Sequence, residues 1–385
     1  MADNKALNAL RATAALLVVV GHARAYLFVS RDDAPHDPLT QGILAVLSME
    51  HGAVLVFFVL SGYFVGGSSI RAMAANNFSW NAYMVSRLVR LWLVLIPAIV
   101  LTLILDLTGR IWLSSSPRYS STGDAVTNTD LPTILGNVFF LQPMYVAVLG
   151  SNRALWSVSY EFAYYAAFPL LLAGFALSKK WQTRTIFVVA AGLVLAFFGW
   201  NVAALFPVWL LGALVAFYKT PIVKMLSRMP SALMFLARLA SVLLTAAAMV
   251  ADKIAGGSPS STPPTSYAVA LAATLLTALL LPDLNPQNRI MKRALSSTAN
   301  LAQSSFSLYA IHLPLLSLVA AAVSPKHVTG SWQPSIATWL AFAVIVCTLV
   351  AFGWLFSQYT ERHTNAVRRW VHRSIATRRP PRVRS

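Results

Sequence analysis

The chain has 385 residues, of which 57% are apolar and 11% are charged, and its formal net charge is +18. Because soluble domains carry about 25% charged residues, this composition excludes a soluble globule and indicates an integral membrane protein. The basic residues lie between apolar runs and not on one soluble module, which argues against a nucleic-acid-binding protein. The single cysteine, Cys347, excludes an intramolecular disulfide, and the absence of CxxC and HExxH spacings gives no reason to expect a metal site.

The first apolar segment, residues 8–28, is long enough to cross a bilayer but carries two ionisable side chains, Arg11 and His22. At about 100° per residue, their separation is three turns plus about 20°, so both lie on one face of a helix, roughly 16 Å apart along its axis. Ionisable groups inside a membrane helix cost roughly 2.5–3.5 kcal/mol each, so they usually face a protein interior and mark a functional path. We therefore expect Arg11 and His22 to face one interior channel.

Three other interpretations of this segment remain open. Arg11 is also typical of a cytoplasmic anchor that snorkels to the membrane surface, and His22 is also typical of a core histidine with satisfied hydrogen bonds. The segment further has the features of a secretory signal, with Lys5 and Arg11 as its basic region and residues 23–25 as an A-x-A cleavage site.

The hydropathy pattern predicts an all-α, polytopic membrane helix bundle with both termini in the cytoplasm. We expect ten transmembrane helices, at residues 9–29, 43–66, 86–107, 155–177, 186–200, 205–218, 232–250, 266–281, 303–323 and 336–357. Lys and Arg are concentrated in the segments that this order places inside, as the positive-inside rule requires. A turn at residues 201–204 separates the fifth helix from the sixth. Residues 1–360 are expected to form the transmembrane domain, and residues 361–385 a basic cytoplasmic tail along anionic lipid headgroups.

A long segment on the outer side interrupts this regular pattern. Residues 109–154 exceed what a connector needs, which is typical of a lid or a binding loop. Within them, residues 132–149 are apolar but contain Gly136 and Pro143. We interpret this stretch as a re-entrant or interfacial segment and not as a full span.

Two groups of polar residues are expected at defined depths. Arg87 and Arg90 begin the third helix at the depth of Arg11, where three guanidinium groups are suited to bind phosphates. The alternative is an ordinary positive-inside flank. Glu161 lies near the outer end of the fourth helix, at a depth comparable to that of His22. A carboxylate there would orient the imidazole as a base. The alternative is that Glu161 pairs with an arginine, such as Arg24 or Arg153, and fixes the packing.

Short motifs follow one another along nearly the whole chain. After Arg11 and His22 come FFVLSG at residues 57–62, R-x-x-R at 87–90, WSVSYEFAYYAAFP at 156–169, FSLYAIHLP at 306–314 and YTER at 359–362. In this order they resemble the acyltransferase-3 family of integral membrane O-acyltransferases, which includes O-antigen, exopolysaccharide and Nod-factor O-acetyltransferases.

The resemblance implies the reaction and the roles of individual residues. It implies that an acyl group, most often acetyl, moves from cytoplasmic acetyl-CoA, a donor substrate, to a hydroxyl of a glycan or glycolipid at a bacterial inner membrane. His22 would act as general base or transient acyl carrier, with Glu161 and Arg11 beside it. Arg11, Arg87 and Arg90 would hold the donor. The residues expected to contact the acceptor are Trp156, Ser157, Tyr160, Tyr309 and His312. A transporter or flippase that moves an amphiphile along the Arg11 and His22 face is the alternative.

Overall fold

A computed structural model of the chain describes residues 4–120, 123–176, 180–258, 261–282, 298, 301–327 and 330–377. Over these residues the secondary structure is helical, with no strands beyond two isolated bridges. This confirms the all-α membrane bundle. The end of the fourth predicted span, at residue 177, and the last part of the basic tail, residues 378–385, lie outside the described residues.

The helices are numbered α1 to α16 in chain order. Their bounds are α1 Lys5–Leu27, α2 Pro38–Val46, α3 Glu50–Ser61, α4 Gly67–Ala74, α5 Trp80–Trp112, α6 Asp124–Thr127, α7 Leu131–Val138, α8 Trp156–Ala176, α9 Trp181–Phe197, α10 Trp200–Phe217, α11 Lys219–Leu226, α12 Ser231–Ile254, α13 Pro264–Leu279, α14 Ser305–Val323, α15 Ile336–Tyr359 and α16 Thr364–Thr377. A π-helical segment, Gly62–Gly66, joins α3 to α4. Below, the end of the bundle at which α1 begins is called the inner end, and the end at which α1 finishes is called the outer end.

Among the described residues, seven helical segments are long and apolar enough to cross a membrane. They begin with α1, the α2–α4 segment and α5, and continue with α10, α12, α14 and the α15–α16 segment. Two shorter apolar helices, α9 and α13, lie where the fifth and eighth spans were predicted, and α8 lies at the fourth. A multi-pass membrane protein is therefore established, and the count of ten spans stays a prediction.

The turn between the fifth and sixth predicted spans lies earlier than expected. Residues 201–204 belong to α10, and the chain reverses at Phe198 and Gly199 instead. Gly199 has φ +90°, a backbone conformation that side chains with a Cβ rarely adopt. The glycine therefore fixes the position of the turn, although the hydropathy pattern alone favoured the polar Asn201.

The apolar stretch at residues 132–149 does not form a full-length helix, as its interruptions predicted. After α7 ends at Val138, Asn137 holds the following irregular segment: its Nδ2 donates to the Ala147 carbonyl (2.9 Å), and its Oδ1 accepts from the Leu149 amide (3.2 Å). Trp92 on α5 donates through Nε1 to the Val138 carbonyl (2.8 Å). These bonds satisfy the backbone groups of an irregular segment that is packed against the bundle.

The residues that follow this segment penetrate between the helices. Asn152 is fully buried, and its Nδ2 donates to Thr102 Oγ1 (3.0 Å) and to the Ala310 carbonyl (2.8 Å). Ser151 donates to Asp106 (2.5 Å). Since Thr102 lies ten positions before the outer end of α5, Asn152 lies about 15 Å along α5 from that end. α8, which begins at Trp156, therefore starts inside the bundle.

Glycines set the closest helix crossing near the centre of the bundle. A Cβ on Gly62 would overlap the Trp209 carbonyl oxygen, and a Cβ on Gly212 would overlap the Val59 carbonyl oxygen. The end of α3 and the middle of α10 thus approach each other backbone to backbone, which only residues without a side chain permit. The glycine of the FFVLSG motif is explained by this contact.

We expect Gly212→Ala to destabilise the protein, because α3 and α10 must separate to admit the methyl group. The loss in unfolding free energy should be about 1–3 kcal/mol or more, as is usual when a packed interface is overfilled. Gly192→Ala is the matched control, since its exposed helical position has nothing within 4 Å of the added Cβ. Unfolding of both variants in detergent is the measurement, and equal midpoints would contradict the proposed role of the crossing.

Candidate active site

A cavity of about 80 Å³ lies inside the bundle between α1, α3, α5, α8 and α14. Its walls are largely aromatic and aliphatic, and its polar lining consists of Arg11, Ser61, Arg90, Ser157, Glu161, Ser305 and Tyr309. Five residues selected from the sequence thus meet at one place, although they come from four different helices. Such an apolar pocket with a few convergent polar groups is the usual form of a small-molecule site.

Glu161 is held in this cavity by hydroxyl groups. Its Oε1 accepts from Ser61 Oγ (3.1 Å) and from the hydroxyl of Tyr165, one turn further along α8. Ser61 in turn accepts a hydrogen bond from Trp209 Nε1 (3.1 Å). The serine of the FFVLSG motif therefore orients the carboxylate of the α8 motif.

The three predicted arginines occupy different surroundings. Arg11 donates through Nη2 to the Ala302 carbonyl, and its charge acts on Glu361. Arg90 lies within electrostatic range of both Glu161 and Glu361. Two carboxylates thus offset two guanidinium groups, which is the condition for keeping charges inside a membrane bundle.

Arg87 does not line the cavity. Its guanidinium lies over the rings of Tyr83 and Tyr165, 5.3 and 5.7 Å from their centroids, and its buried Nε has no hydrogen-bond partner. Among the residues that the structure describes, this layer holds three arginines and two carboxylates, so one positive charge has no carboxylate to offset it. The faces of aromatic rings stabilise such a cation only modestly.

His22 pairs with a second histidine and not with Glu161. Its Nδ1 lies 2.9 Å from His312 Nε2, and the two rings stack with their centroids 5.1 Å apart. The predicted contact between Glu161 and His22 is therefore wrong. Depth was counted from the start of α8 as if it began at the membrane surface, whereas α8 begins inside the bundle, so Glu161 lies further toward the inner end.

The buried member of this pair is His312. It has no exposed surface, and its Nδ1 lies 2.8 Å from the Tyr309 carbonyl oxygen and 3.2 Å from that of Leu308. His22 is partly exposed. The accessible imidazole is thus His22, supported from behind by an imidazole that is anchored to its own helix.

Tyr309 lies between the cavity and the histidine pair. Its hydroxyl donates to the Ala154 carbonyl (2.8 Å) and accepts from Ser157 (2.7 Å), while its ring centroid lies 5.8 Å from that of His312. Ser157 and Tyr309 both line the cavity. Trp156 and Tyr160 instead pack on Phe58, with ring centroids 6.3 and 6.2 Å away, behind the cavity wall.

A family model described as an acyltransferase domain matches residues 4–358, nearly the whole chain. The chain belongs to this acyltransferase family. Comparison with curated proteins and with solved structures gives no match. The family assignment confirms the resemblance seen in the motifs, and it favours a membrane acyltransferase over the transporter alternative.

The acyltransferase contains a further buried polar cluster that the sequence did not suggest. His51 Nδ1 lies 2.7 Å from Asp252 Oδ2, and the other oxygen of this carboxylate accepts from Ser266 (2.6 Å) and Thr265 (3.2 Å). Asp252 is fully buried. The predicted span ended at residue 250 and placed Asp252 in a loop, whereas α12 continues to Ile254. His51, an ionisable residue inside the second predicted span, is the signal that could have indicated this cluster.

We expect this cluster to stabilise the acyltransferase by joining α3 to α12. Asp252→Ala removes the carboxylate and leaves His51 and Ser266 without their partner, which should cost about 3 kcal/mol of unfolding free energy. The neighbouring ion pair of Lys253 and Glu50 (2.5 Å) has a half-exposed lysine, so Lys253→Met should cost less than about 1 kcal/mol. Unfolding of the two variants under identical conditions measures the difference, and equal losses would show that burial of Asp252 is unimportant.

Proposed function

We propose that this acyltransferase transfers an acetyl group from cytoplasmic acetyl-CoA to a hydroxyl of a glycan or glycolipid at the bacterial inner membrane. The observation that supports this most directly is the hydrogen-bonded pair of His22 and His312, one turn of α14 away from a cavity that contains arginines. An imidazole is the side chain most often used to move a proton in acyl transfer.

The donor enters this scheme from the inner end. The nucleotide phosphates remain at the level of the arginines. Arg87 is the first candidate to bind them, because it lies over aromatic rings and no carboxylate among the described residues is paired with it. The thioester end of the donor extends toward Tyr309.

The reaction then requires one lone pair on His22. As a general base, His22 takes the proton of the acceptor hydroxyl while the hydroxyl oxygen forms a bond to the thioester carbon. The carbon–sulfur bond breaks, and the departing sulfur takes the proton back from His22 to give the free thiol. Alternatively, the same nitrogen attacks the thioester carbon, and the carbon–sulfur bond breaks to release the thiolate. The acceptor hydroxyl then takes the acyl group from His22 and its proton passes to the thiolate, which leaves a neutral imidazole and the free thiol.

We expect His22→Ala to lower kcat by about 10²–10⁴-fold, the usual contribution of a positioned acid or base. The measurement is transfer of labelled acetyl from acetyl-CoA to endogenous acceptor in membranes that contain the variant. His36→Ala, an exposed histidine of the outer loop, is the control and should behave as wild type. A His22→Ala protein that transfers at near the wild-type rate would refute the assignment.

Arg87→Ala should raise the KM for acetyl-CoA by about tenfold to a hundredfold, since a hydrogen bond to a charged group contributes about 1.5–3 kcal/mol. The same variant should show an unchanged KM for S-acetylpantetheine, which lacks the phosphates. Arg228→Ala is the matched control for the loss of one positive charge, because Arg228 is an exposed arginine on the same side of the bundle. An equal change with both donors would mean that Arg87 acts on the fold and not on phosphate.

A further inference from the structure

The hydrogen bonds around His312 fix its position and also determine which of its ring nitrogens carries the hydrogen. A backbone carbonyl oxygen accepts hydrogen bonds and cannot donate them. The contacts of His312 Nδ1 with the carbonyls of Tyr309 (2.8 Å) and Leu308 (3.2 Å) therefore require that Nδ1 carry a hydrogen. In a neutral imidazole the other nitrogen then has a lone pair, so His312 Nε2 is an acceptor.

The consequence passes to His22 through the contact between the two rings, while the Val18 backbone is a second hydrogen-bond partner of the His22 side chain. Because His312 Nε2 accepts, His22 Nδ1, which lies 2.9 Å away, must be the donor. A neutral His22 that carries its hydrogen on Nδ1 has its lone pair on Nε2. We propose that His312 is a positioning residue that holds His22 in this tautomer, with Nε2 unprotonated and ready to accept a proton. This inference rests on the proposed function, in which His22 performs the transfer.

His312 thereby takes the role that a carboxylate has in a Ser-His-Asp triad, where the acid holds the imidazole in the correct tautomer. The proton balance differs from that of a buried ion pair. A proton that enters at His22 Nε2 leaves from the same nitrogen to the sulfur of the donor, while the Nδ1 hydrogen remains bonded to His312 throughout. His312 itself gains and loses no proton, so no net charge is created at its fully buried ring.

This role replaces the acceptor contact that the sequence suggested for His312. Its Nδ1 is directed at its own helix and its Nε2 at His22, so both ring nitrogens have partners within the protein. No exposed surface remains on the side chain. A residue that binds the acceptor would need a free polar atom, which His312 lacks.

Two amide substitutions separate tautomer control from packing. In His312→Gln the side-chain oxygen lies near the position of Nε2 and can still accept from His22. In His312→Asn the amide lies near the position of Nδ1 and can bond to the Tyr309 carbonyl, but nothing reaches His22. We expect His312→Gln to retain kcat within about tenfold and His312→Asn to lose about 10²–10⁴-fold, with the KM for acetyl-CoA unchanged in both. Wild-type kcat in His312→Asn would overturn the proposal.

A spectroscopic measurement tests the tautomer without relying on activity. The ¹⁵N resonances of His22 are identified in the histidine-labelled protein by their loss in His22→Ala. We expect the wild type to show the hydrogen on Nδ1 of His22, and His312→Asn to lose this preference. A wild-type His22 protonated on Nε2 would refute the inference. If His22→Ala retained transfer activity while the Nδ1 tautomer was observed, the proposed function would fail and the hydrogen-bond assignment would stand.

Discussion

The charged side chains that line the cavity lie close to charges of opposite sign, and the arrangement of the site follows from that constraint. Moving an ion out of water costs several kcal/mol, which only an opposite charge or several hydrogen bonds can offset. Near the inner end, Arg11 and Arg90 are balanced by Glu161 and Glu361. A second layer toward the outer end contains the buried contact between His51 and Asp252. Charged residues of different motifs therefore neutralise one another within the protein, independently of any ligand.

The hydrogen bonds of the histidine pair join the two rings to each other and to backbone carbonyls. A carboxylate beside His22 would need a compensating cation in a space that is enclosed by helices. His312 provides an acceptor without adding a charge, and the Tyr309 carbonyl anchors it within one turn of the same helix. Orientation is thus obtained from backbone geometry, which is rigid in a helix, and not from an additional ion pair.

Several residues singled out in the sequence line one cavity, but their contacts were not predictable. Arg11, Arg90, Ser157, Glu161 and Tyr309 meet there, although helix depth had placed Glu161 with His22 and apart from the arginines. The partner of His22 could not be found in this way. His22 and His312 are 290 positions apart. Their contact depends on how α1 and α14 are packed, which no local pattern encodes.

The misplacement of Glu161 has one physical origin. Counting residues from a helix end gives the depth of a side chain only where that end lies at the membrane surface. Asn152 shows why, since its hydrogen bonds to Thr102 and Ala310 hold the start of α8 inside the bundle. The turn at Gly199 and the extension of α12 to Asp252 are smaller cases, in which backbone conformation or a buried polar partner outweighs hydropathy.

The buried start of α8 also explains why the site has two parts, the cavity with its arginines and the histidine pair. Since Ser157 is in the first turn of α8, it meets Tyr309 at the middle of α14, and their hydroxyl contact lies between the arginine layer and the histidines. Were α8 to begin at the surface, Ser157 would lie well above Tyr309, and Glu161 would lie beside His22. The buried Asn152 thus helps to hold the start of α8 at a depth where Glu161 lies near the arginines and apart from His22.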